Sequence, residues 1–230
     1  MPTENHVVSR EEWLTARKEL LREEKALLRY KDFVTEKRQA MPWVLVDKAY
    51  TFEDGERQVT LHELFAEARQ LIVYHFMFGP EWDAGCTGCT QVADTFALAR
   101  QHLENRDTRL VAVSRTNSMK IAGYKARMGW EFPWYSSLQS DFNFDFLASD
   151  PAASDQSTAD QGTDSSWRYQ PMGYDRDETH GFSVFVREDD QVYHTYSCFN
   201  RQVELYMVNL QLLDLVPGGR RNELEDGRRA

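Results

Sequence analysis

The chain has 230 residues, 41% of them hydrophobic, and its 27 basic and 37 acidic side chains give a net charge of −10. This length fits one domain, or one domain with an arm, and the composition excludes a wholly disordered chain and a small disulfide scaffold. The acidic balance argues against a nucleic-acid-binding surface. No apolar run approaches the roughly 20 residues of a bilayer span, so no membrane segment is expected.

An N-terminal helical arm is predicted over residues 1–41. Ser9 stands three residues before Glu12, which is the spacing of a capping box and marks the start of a helix. Apolar side chains then recur at heptad-like intervals up to Pro42: Trp13, Ala16, Leu20, Leu27 and Val34. Such a helix would either pack on its own domain or clasp a second copy of the chain, so a homodimer is one of its two expected roles.

Residues 42–216 are predicted to form one α/β domain. Apolar and β-branched runs bounded by turn residues predict strands at 43–46, 50–52, 58–60, 71–78 and 109–114. His75, inside one of these runs, is expected to be a hydrogen-bonded core histidine. Helical periodicity predicts helices at 61–70, from the cysteine pair at 86 and 89 to residue 103, and at 116–128. The alternation of strands and helices favours a sheet with parallel strands.

The second half of the chain adds a hairpin and a last helix. Strands are predicted at 182–187 and 191–197, and a helix is predicted to carry one apolar face: Val203, Tyr206, Leu210 and Leu213. Residues 149–166 contain no bulky apolar side chain, which predicts a flexible polar surface loop. Residues 217–230 are predicted to be a polar tail.

Two of the three cysteines, Cys86 and Cys89, stand three residues apart, directly after a predicted buried strand and at the start of a predicted helix. In the first turn of a helix these positions face the same side, so the sulfurs can approach disulfide distance. Unpaired N–H groups at a helix start stabilise a thiolate on Cys86. Residues 1–6 show no secretory signal, so a reducing, cytoplasmic setting is expected, where a close pair is more often redox-active or metal-binding than structural.

This pattern predicts a thiol–disulfide oxidoreductase in which Cys86 attacks a substrate disulfide and Cys89 resolves the mixed disulfide. No cofactor is expected, and the partners would be a thiol or disulfide substrate and a reductant protein, not nucleic acid or membrane. Two other interpretations stay open. The cysteines can be small core residues of a non-catalytic binding or scaffold protein. They can also be half of a metal site completed by Cys198 and one histidine.

Several blocks of the sequence resemble the DUF899 family of thioredoxin-like proteins and keep the family's order along the chain. These blocks are 74–80, 86–89, 129–137, 141–146, 192–197 and 213–220. The resemblance extends from near Ala16 to the tail. It implies a thioredoxin-like α/β fold, with a central mixed sheet flanked by helices. It implies less about function, because most of the family is described as uncharacterised proteins that are predicted to be dithiol–disulfide oxidoreductases.

Other residues are expected around the cysteine pair. Thioredoxin-like folds usually place a cis-proline opposite the pair, just before the first strand of the C-terminal hairpin, where this chain has His180. This histidine is expected either to face the thiols, stabilising a thiolate or acting as a general base, or to lie at the surface. Trp82 and Trp134 are expected to line the substrate site. Arg115 and Lys120 offer an alternative anion-binding site near a helix start.

Overall fold

The computed structural model describes residues 7–150 and 177–220, in a chain that divides into two compact units, Met1–Pro42 and Trp43–Ala230. The first unit contains α1 (Arg10–Gln39), a helix of 30 residues. Its start has the predicted capping box, because the Ser9 hydroxyl accepts a hydrogen bond from the Glu12 N–H (3.2 Å) while the Glu12 carboxylate accepts one from the Ser9 N–H (2.9 Å). The predicted N-terminal helix is therefore confirmed.

Within the described residues, the second unit is built on one eight-stranded sheet. In chain order its strands are β1 (Val44–Leu45), β2 (Thr51–Asp54), β3 (Arg57–Thr60), β4 (Gln70–His75), β5 (Thr108–Ser114), β6 (Trp134–Ser136), β7 (Gly181–Glu188) and β8 (Gln191–Phe199). In space they follow the order β1-β8-β7-β4-β5-β6-β2-β3. The pairs β4–β5 and β5–β6 are parallel and the other pairs are antiparallel, so the sheet is mixed.

The helices of this unit flank the sheet and complete a thioredoxin-like arrangement. They are α2 (Thr87–Ala93), α3 (Phe96–Glu104), α4 (Ser118–Met128), α5 (Phe142–Asp145) and α6 (Val208–Leu213). The chain passes from β4 through α2 and α3 to the parallel β5. After α4, β6 and α5 it forms the antiparallel hairpin β7–β8. Within the sheet, four of these strands lie in the order β5-β4-β7-β8. The predicted fold class is confirmed.

The predicted helix at 61–70 is wrong. The structure has a single 3-10 turn, Glu63–Phe65, which ends at Ala66 with a left-handed φ of 48°. Leu64 and Phe65 are fully buried by this one turn. The chain then needs only a few residues to reach the first residue of β4, so tertiary packing overrides the helical pattern.

Two longer predicted helices are each broken into two pieces. The helix that follows the cysteine pair stops at Ala93 and restarts at Phe96, where the Thr95 hydroxyl donates to the Val92 carbonyl (2.7 Å) and competes with the helical ladder. The last helix is a 3-10 segment, Asn200–Tyr206, followed by α6. Between them Met207 has extended backbone (φ −94°, ψ 103°) and a buried side chain.

Other predicted segments end earlier than expected or fall partly outside the described residues. The run predicted as a strand over 71–78 leaves the sheet after His75, although its next three residues stay buried. Ser149, at the start of the predicted polar loop, forms an isolated antiparallel bridge with Glu178. Residues 151–166 of that loop and the last ten residues of the predicted tail lie outside the described residues. No described helix has both the length and the apolar composition needed to cross a membrane.

The sheet separates two apolar cores, because successive side chains of β4 point to opposite faces. Val73 contributes to one core, together with Phe142 and Phe185. Tyr74 contributes to the other, which we call the cysteine-side core. It is rich in aromatic rings and contains Tyr74, Phe76, Phe78, Cys89, Phe96, Tyr124, Phe132 and Trp134. Both cysteines of the pair are therefore held against this aromatic face of the sheet.

Candidate functional site

The cysteine pair lies where the chain leaves the carboxyl end of β4 and begins α2. Cys86 is the N-cap residue of α2, with extended backbone (φ −62°, ψ 131°), and Cys89 lies in the first helical turn. The backbone of Met77 contacts both residues. Its carbonyl accepts a hydrogen bond from the Cys86 N–H (3.0 Å), and its N–H donates to the Cys89 Sγ (3.5 Å). The segment that follows β4 thus fixes both cysteines relative to the sheet.

The two thiols have different surroundings. Cys86 is half-buried, whereas Cys89 is 2% exposed and packs within the cysteine-side core. The pair is in the dithiol state, with the sulfurs near one another but not at disulfide distance. Solvent therefore reaches Cys86 more readily than Cys89.

The electrostatics of Cys89 follow from its burial. Loss of solvation raises the pKa of the Cys89 thiol well above its ordinary value, and the adjacent Cys86 raises it further. Hydrogen bonds from the Tyr74 hydroxyl and the Met77 N–H oppose this rise, but they do not cancel it. Cys89 is consequently a protonated thiol in this state, which does not attack until its proton is removed.

Trp82, four residues before Cys86, packs half-buried against the cysteine-side core. Its indole ring covers Gly79 so closely that a methyl group there would come 2.9 Å from the indole Nε1. Trp134, the second tryptophan expected in the site, is 3% exposed, and its indole N–H donates to the Ser114 hydroxyl (3.0 Å). Trp82 thus keeps part of its surface exposed, whereas Trp134 is a buried core residue.

His180 precedes β7, next to the end of β4, because the following residue Gly181 pairs with His75. Its carbonyl accepts a hydrogen bond from the Asn200 N–H (3.1 Å). Burial lowers the pKa of the imidazole, while a hydrogen bond to the Asn200 backbone and the charge of Glu204 oppose that change. In the described residues no peptide bond is cis. The histidine at the usual cis-proline position is therefore held by the segment that follows β8.

The basic residues considered for anion binding have other partners. The Lys120 ammonium donates to the carbonyl oxygens of Pro80 (2.7 Å) and Trp82 (2.9 Å). The Arg115 guanidinium forms an ion pair with the buried carboxylate of Glu178 (2.8 Å). Both side chains therefore bind other groups of the protein. These contacts do not support the interpretation that Arg115 and Lys120 form an anion-binding site.

Polar contacts that the sequence did not predict hold the start of α2. The Thr90 hydroxyl donates to the Cys86 carbonyl (3.1 Å) and lies 2.8 Å from the Tyr124 hydroxyl. Thr90 follows Cys86 by four residues, so its bond within α2 has a sequence signal. Tyr124 and Lys120 have none, because they reach the site from α4, which is distant along the chain.

A chain of hydrogen bonds lies on the opposite face of the sheet. His75 is 1% exposed, and its Nε2 lies 2.8 Å from the Ser183 hydroxyl. That hydroxyl lies 2.8 Å from Ser197, which lies 2.8 Å from the Nε2 of His194. His75 is thus the hydrogen-bonded core histidine that the sequence predicts. The metal-site interpretation finds no support among residues 7–150 and 177–220, where no three His, Cys, Asp or Glu side chains come together.

The chain is similar, at low sequence identity, to several solved structures. A mutant of peroxiredoxin Q from Xanthomonas campestris has 15% identity and a TM-score of 0.48, with 76% of this chain and 97% of that chain covered. Peroxidoxin BcpB from Mycobacterium tuberculosis has 13% identity and a TM-score of 0.45, with 67% and 86% covered. A mutant of PrxQ from Xylella fastidiosa has 12% identity and a TM-score of 0.45, with 75% and 94% covered. No curated protein matches the chain.

A family comparison covers almost the entire sequence. The model described as a bacterial protein of unknown function, DUF899, matches residues 2–229. The matched range contains the cysteine pair, its surrounding residues and the blocks on which the resemblance was based. The chain therefore belongs to the DUF899 family.

Proposed function

We propose that this protein is a thiol–disulfide oxidoreductase that uses Cys86 and Cys89. The observation that carries the proposal is the difference between the two thiols: Cys86 is half-buried at the N-cap of α2, whereas Cys89 is buried and has a strongly raised pKa. An attacking thiol must meet its substrate, and a resolving thiol must stay protonated until the mixed disulfide has formed. The pair meets both requirements.

The reaction begins with the Cys86 thiolate. It attacks one sulfur of a substrate disulfide, forms a mixed disulfide with that half of the substrate, and releases the other half as a thiolate. Cys89 then gives up its proton and attacks the Cys86 sulfur. The Cys86–Cys89 disulfide forms and the second substrate half leaves as a thiol. The substrate gains two electrons, and the protein is oxidised from dithiol to disulfide.

The cycle needs a second thiol partner. A reductant protein with its own dithiol would return the Cys86–Cys89 disulfide to the dithiol state, so no organic cofactor takes part. Trp82 would form one edge of the surface on which the substrate disulfide docks, and His180 would be close to the same surface. We place this cycle in the cytoplasm, where thiol systems keep such pairs reduced.

Thiol trapping tests the proposal. The protein is equilibrated across a series of glutathione redox buffers, quenched by alkylation and analysed by mass spectrometry. We expect Cys86 and Cys89 to interconvert between dithiol and disulfide, with Cys198 unchanged. If they remain a dithiol at every potential, the proposal is wrong.

Single substitutions separate the roles of the two cysteines. Cys86→Ser should abolish reduction of a small aromatic disulfide, whereas Cys89→Ser should accumulate a mixed disulfide on Cys86. Cys198 is 1% exposed on β8, and Cys198→Ser is the matched control that should keep wild-type turnover. The alternative, a non-catalytic binding protein, predicts no trapped mixed disulfide in any variant.

A further inference from the structure

We propose that Lys120 and Tyr124 of α4 are positioning residues that hold Cys86 apart from Cys89 in the dithiol state. This inference rests on the proposed function. It adds that residues outside the cysteine motif control the equilibrium between dithiol and disulfide. The two residues are four positions apart, so they lie on the same face of α4. One contacts the segment before Cys86, and the other contacts the helix that starts after it.

Lys120 holds the segment before the cysteines. Its ammonium donates to two backbone carbonyl oxygens, those of Pro80 (2.7 Å) and Trp82 (2.9 Å), and its own backbone N–H is bonded to the N-cap residue Asn117 (2.8 Å). The side chain is half-buried, so these charge-assisted bonds are less weakened by solvent than bonds at an open surface. Lys120 thereby connects the capped N-terminus of α4 to the segment that carries Trp82.

Tyr124 holds the other side. A hydroxyl has one proton, and the Thr90 hydroxyl uses its proton on the Cys86 carbonyl, so the Tyr124 hydroxyl donates to Thr90 (2.8 Å). Tyr124 is 8% exposed and its ring contacts that of Phe78 (centroids 5.7 Å apart). Tyr124 of α4 therefore fixes the Cys86 backbone through a single intermediate residue, Thr90.

Gly85 lies between the two parts of the chain that α4 anchors, the segment held by Lys120 and the helix α2 held by Tyr124. It is buried, and a methyl group there would lie 2.5 Å from the Phe76 ring and 3.2 Å from the Tyr124 ring. The residue before Cys86 therefore has little room to move towards the core. A disulfide requires the Cys86 sulfur to approach Cys89, so the anchors on α4 stabilise the dithiol relative to the disulfide.

The equilibrium constant between dithiol and disulfide tests this inference. We expect Lys120→Met to shift it towards the disulfide by about tenfold, which is about 30 mV for a two-electron couple. Tyr124→Phe should shift it in the same direction by about threefold, because one neutral hydrogen bond is lost. Lys120→Arg, which can donate to both carbonyls, should retain most of the wild-type value.

The matched control is Lys125→Met, five residues further along the same helix. Lys125 is also half-buried, and it faces the charge of Asp54 instead of the cysteine segment. The Lys125→Met variant should keep the wild-type equilibrium constant. A wild-type constant in both Lys120→Met and Tyr124→Phe would overturn the inference, as would an equal shift in Lys125→Met. If Lys120→Met does not fold, the constant for Tyr124→Phe decides.

A second readout separates this inference from the proposed function. The rate at which iodoacetamide alkylates Cys86 in the fully reduced protein does not depend on disulfide formation. Lys120→Met should raise this rate about threefold or more, since the segment beside Cys86 is released, whereas Lys125→Met should not. If the wild-type pair never forms a disulfide, the proposed function fails. The alkylation rates then decide the inference alone, and equal rates in wild type and Lys120→Met overturn it.

Discussion

At the scale of single residues, the glycines on either side of Cys86 differ in how much space a side chain would have. Gly85 and Gly88 flank Cys86 at similar distances along the chain but differ in surroundings. Gly85 is buried against two aromatic rings, while a methyl group at Gly88 would have its nearest neighbour, the Cys86 sulfur, at 3.9 Å. The first glycine is required by packing. The second is in an exposed helical turn that has room for a larger residue.

Paired alanine substitutions test this difference. Gly85→Ala forces the Phe76 ring to move, and we expect the free energy of unfolding to fall by about 1–3 kcal/mol. Gly88→Ala should leave it unchanged or raise it by up to about 1 kcal/mol, since alanine favours the helix. Urea denaturation measures both. Equal effects of the two substitutions would show that the close contact at Gly85 does not matter.

At the scale of elements, the two strands of the hairpin β7–β8 approach each other closely where β7 begins beside the end of β4. Gly181 begins β7, opposite Phe199 of β8 and beside His75 of β4. A methyl group at Gly181 would overlap the Phe199 ring and come 2.6 Å from the carbonyl oxygen of Cys198. That oxygen belongs to the backbone, so it cannot move aside as a flexible side chain could.

Gly181→Ala should therefore be among the more damaging single substitutions. We expect it to lower the free energy of unfolding by about 3 kcal/mol, because an overpacked strand must shift away from its neighbour. Thermal unfolding of Gly181→Ala and of Gly123→Ala provides the comparison. Gly123 is an exposed position on α4 where a methyl group meets nothing within 4 Å. A small loss at Gly181 would contradict the close pairing of β7 and β8.

At the scale of the whole molecule, one buried histidine makes stability depend on pH. Burial lowers the pKa of His75 to about 3, and the nearby His194 contributes to the same direction. His75 is stacked on the rings of Phe142 and Phe199, and each ring centroid is 5.7 Å from that of the imidazole. Its folded state therefore stays neutral at a pH where the unfolded chain, with a pKa near 6.5, is already protonated.

The sign of this effect follows from proton binding. Between about pH 6.5 and pH 3 the unfolded chain binds a proton that folded His75 does not bind, so stability is full above pH 6.5 and is lost as the pH falls. From pH 7 to pH 4, His75 alone should account for a loss on the order of 3 kcal/mol.

Urea denaturation at several pH values measures this loss. His75→Gln should show a shallower fall in stability than wild type, whereas His102→Gln, at an exposed position on α3, should follow the wild-type curve. An unchanged pH dependence in His75→Gln would contradict the assignment.

The structural features that follow from the sequence alone are local. The capping box of Ser9 and Glu12, the turn at Gly55 (φ 65°), the helix stop at Gly129 (φ 68°) and the dithiol spacing each involve residues a few positions apart. Their geometry is decided by backbone sterics and short-range hydrogen bonds, which are the same wherever the segment lies. The strands and the thioredoxin-like class follow from such patterns together with the family resemblance.

The way in which the cysteine pair is held depends instead on contacts between distant parts of the chain. Helical periodicity extends across Met207, yet the helix breaks there because burying that side chain in the core is worth more than continuing the helical ladder. The contacts of Lys120 and Tyr124 with the cysteine segment join residues 34–40 positions apart. Such contacts depend on which helix face meets which loop, and that is set by the packing of the whole core rather than by any local pattern.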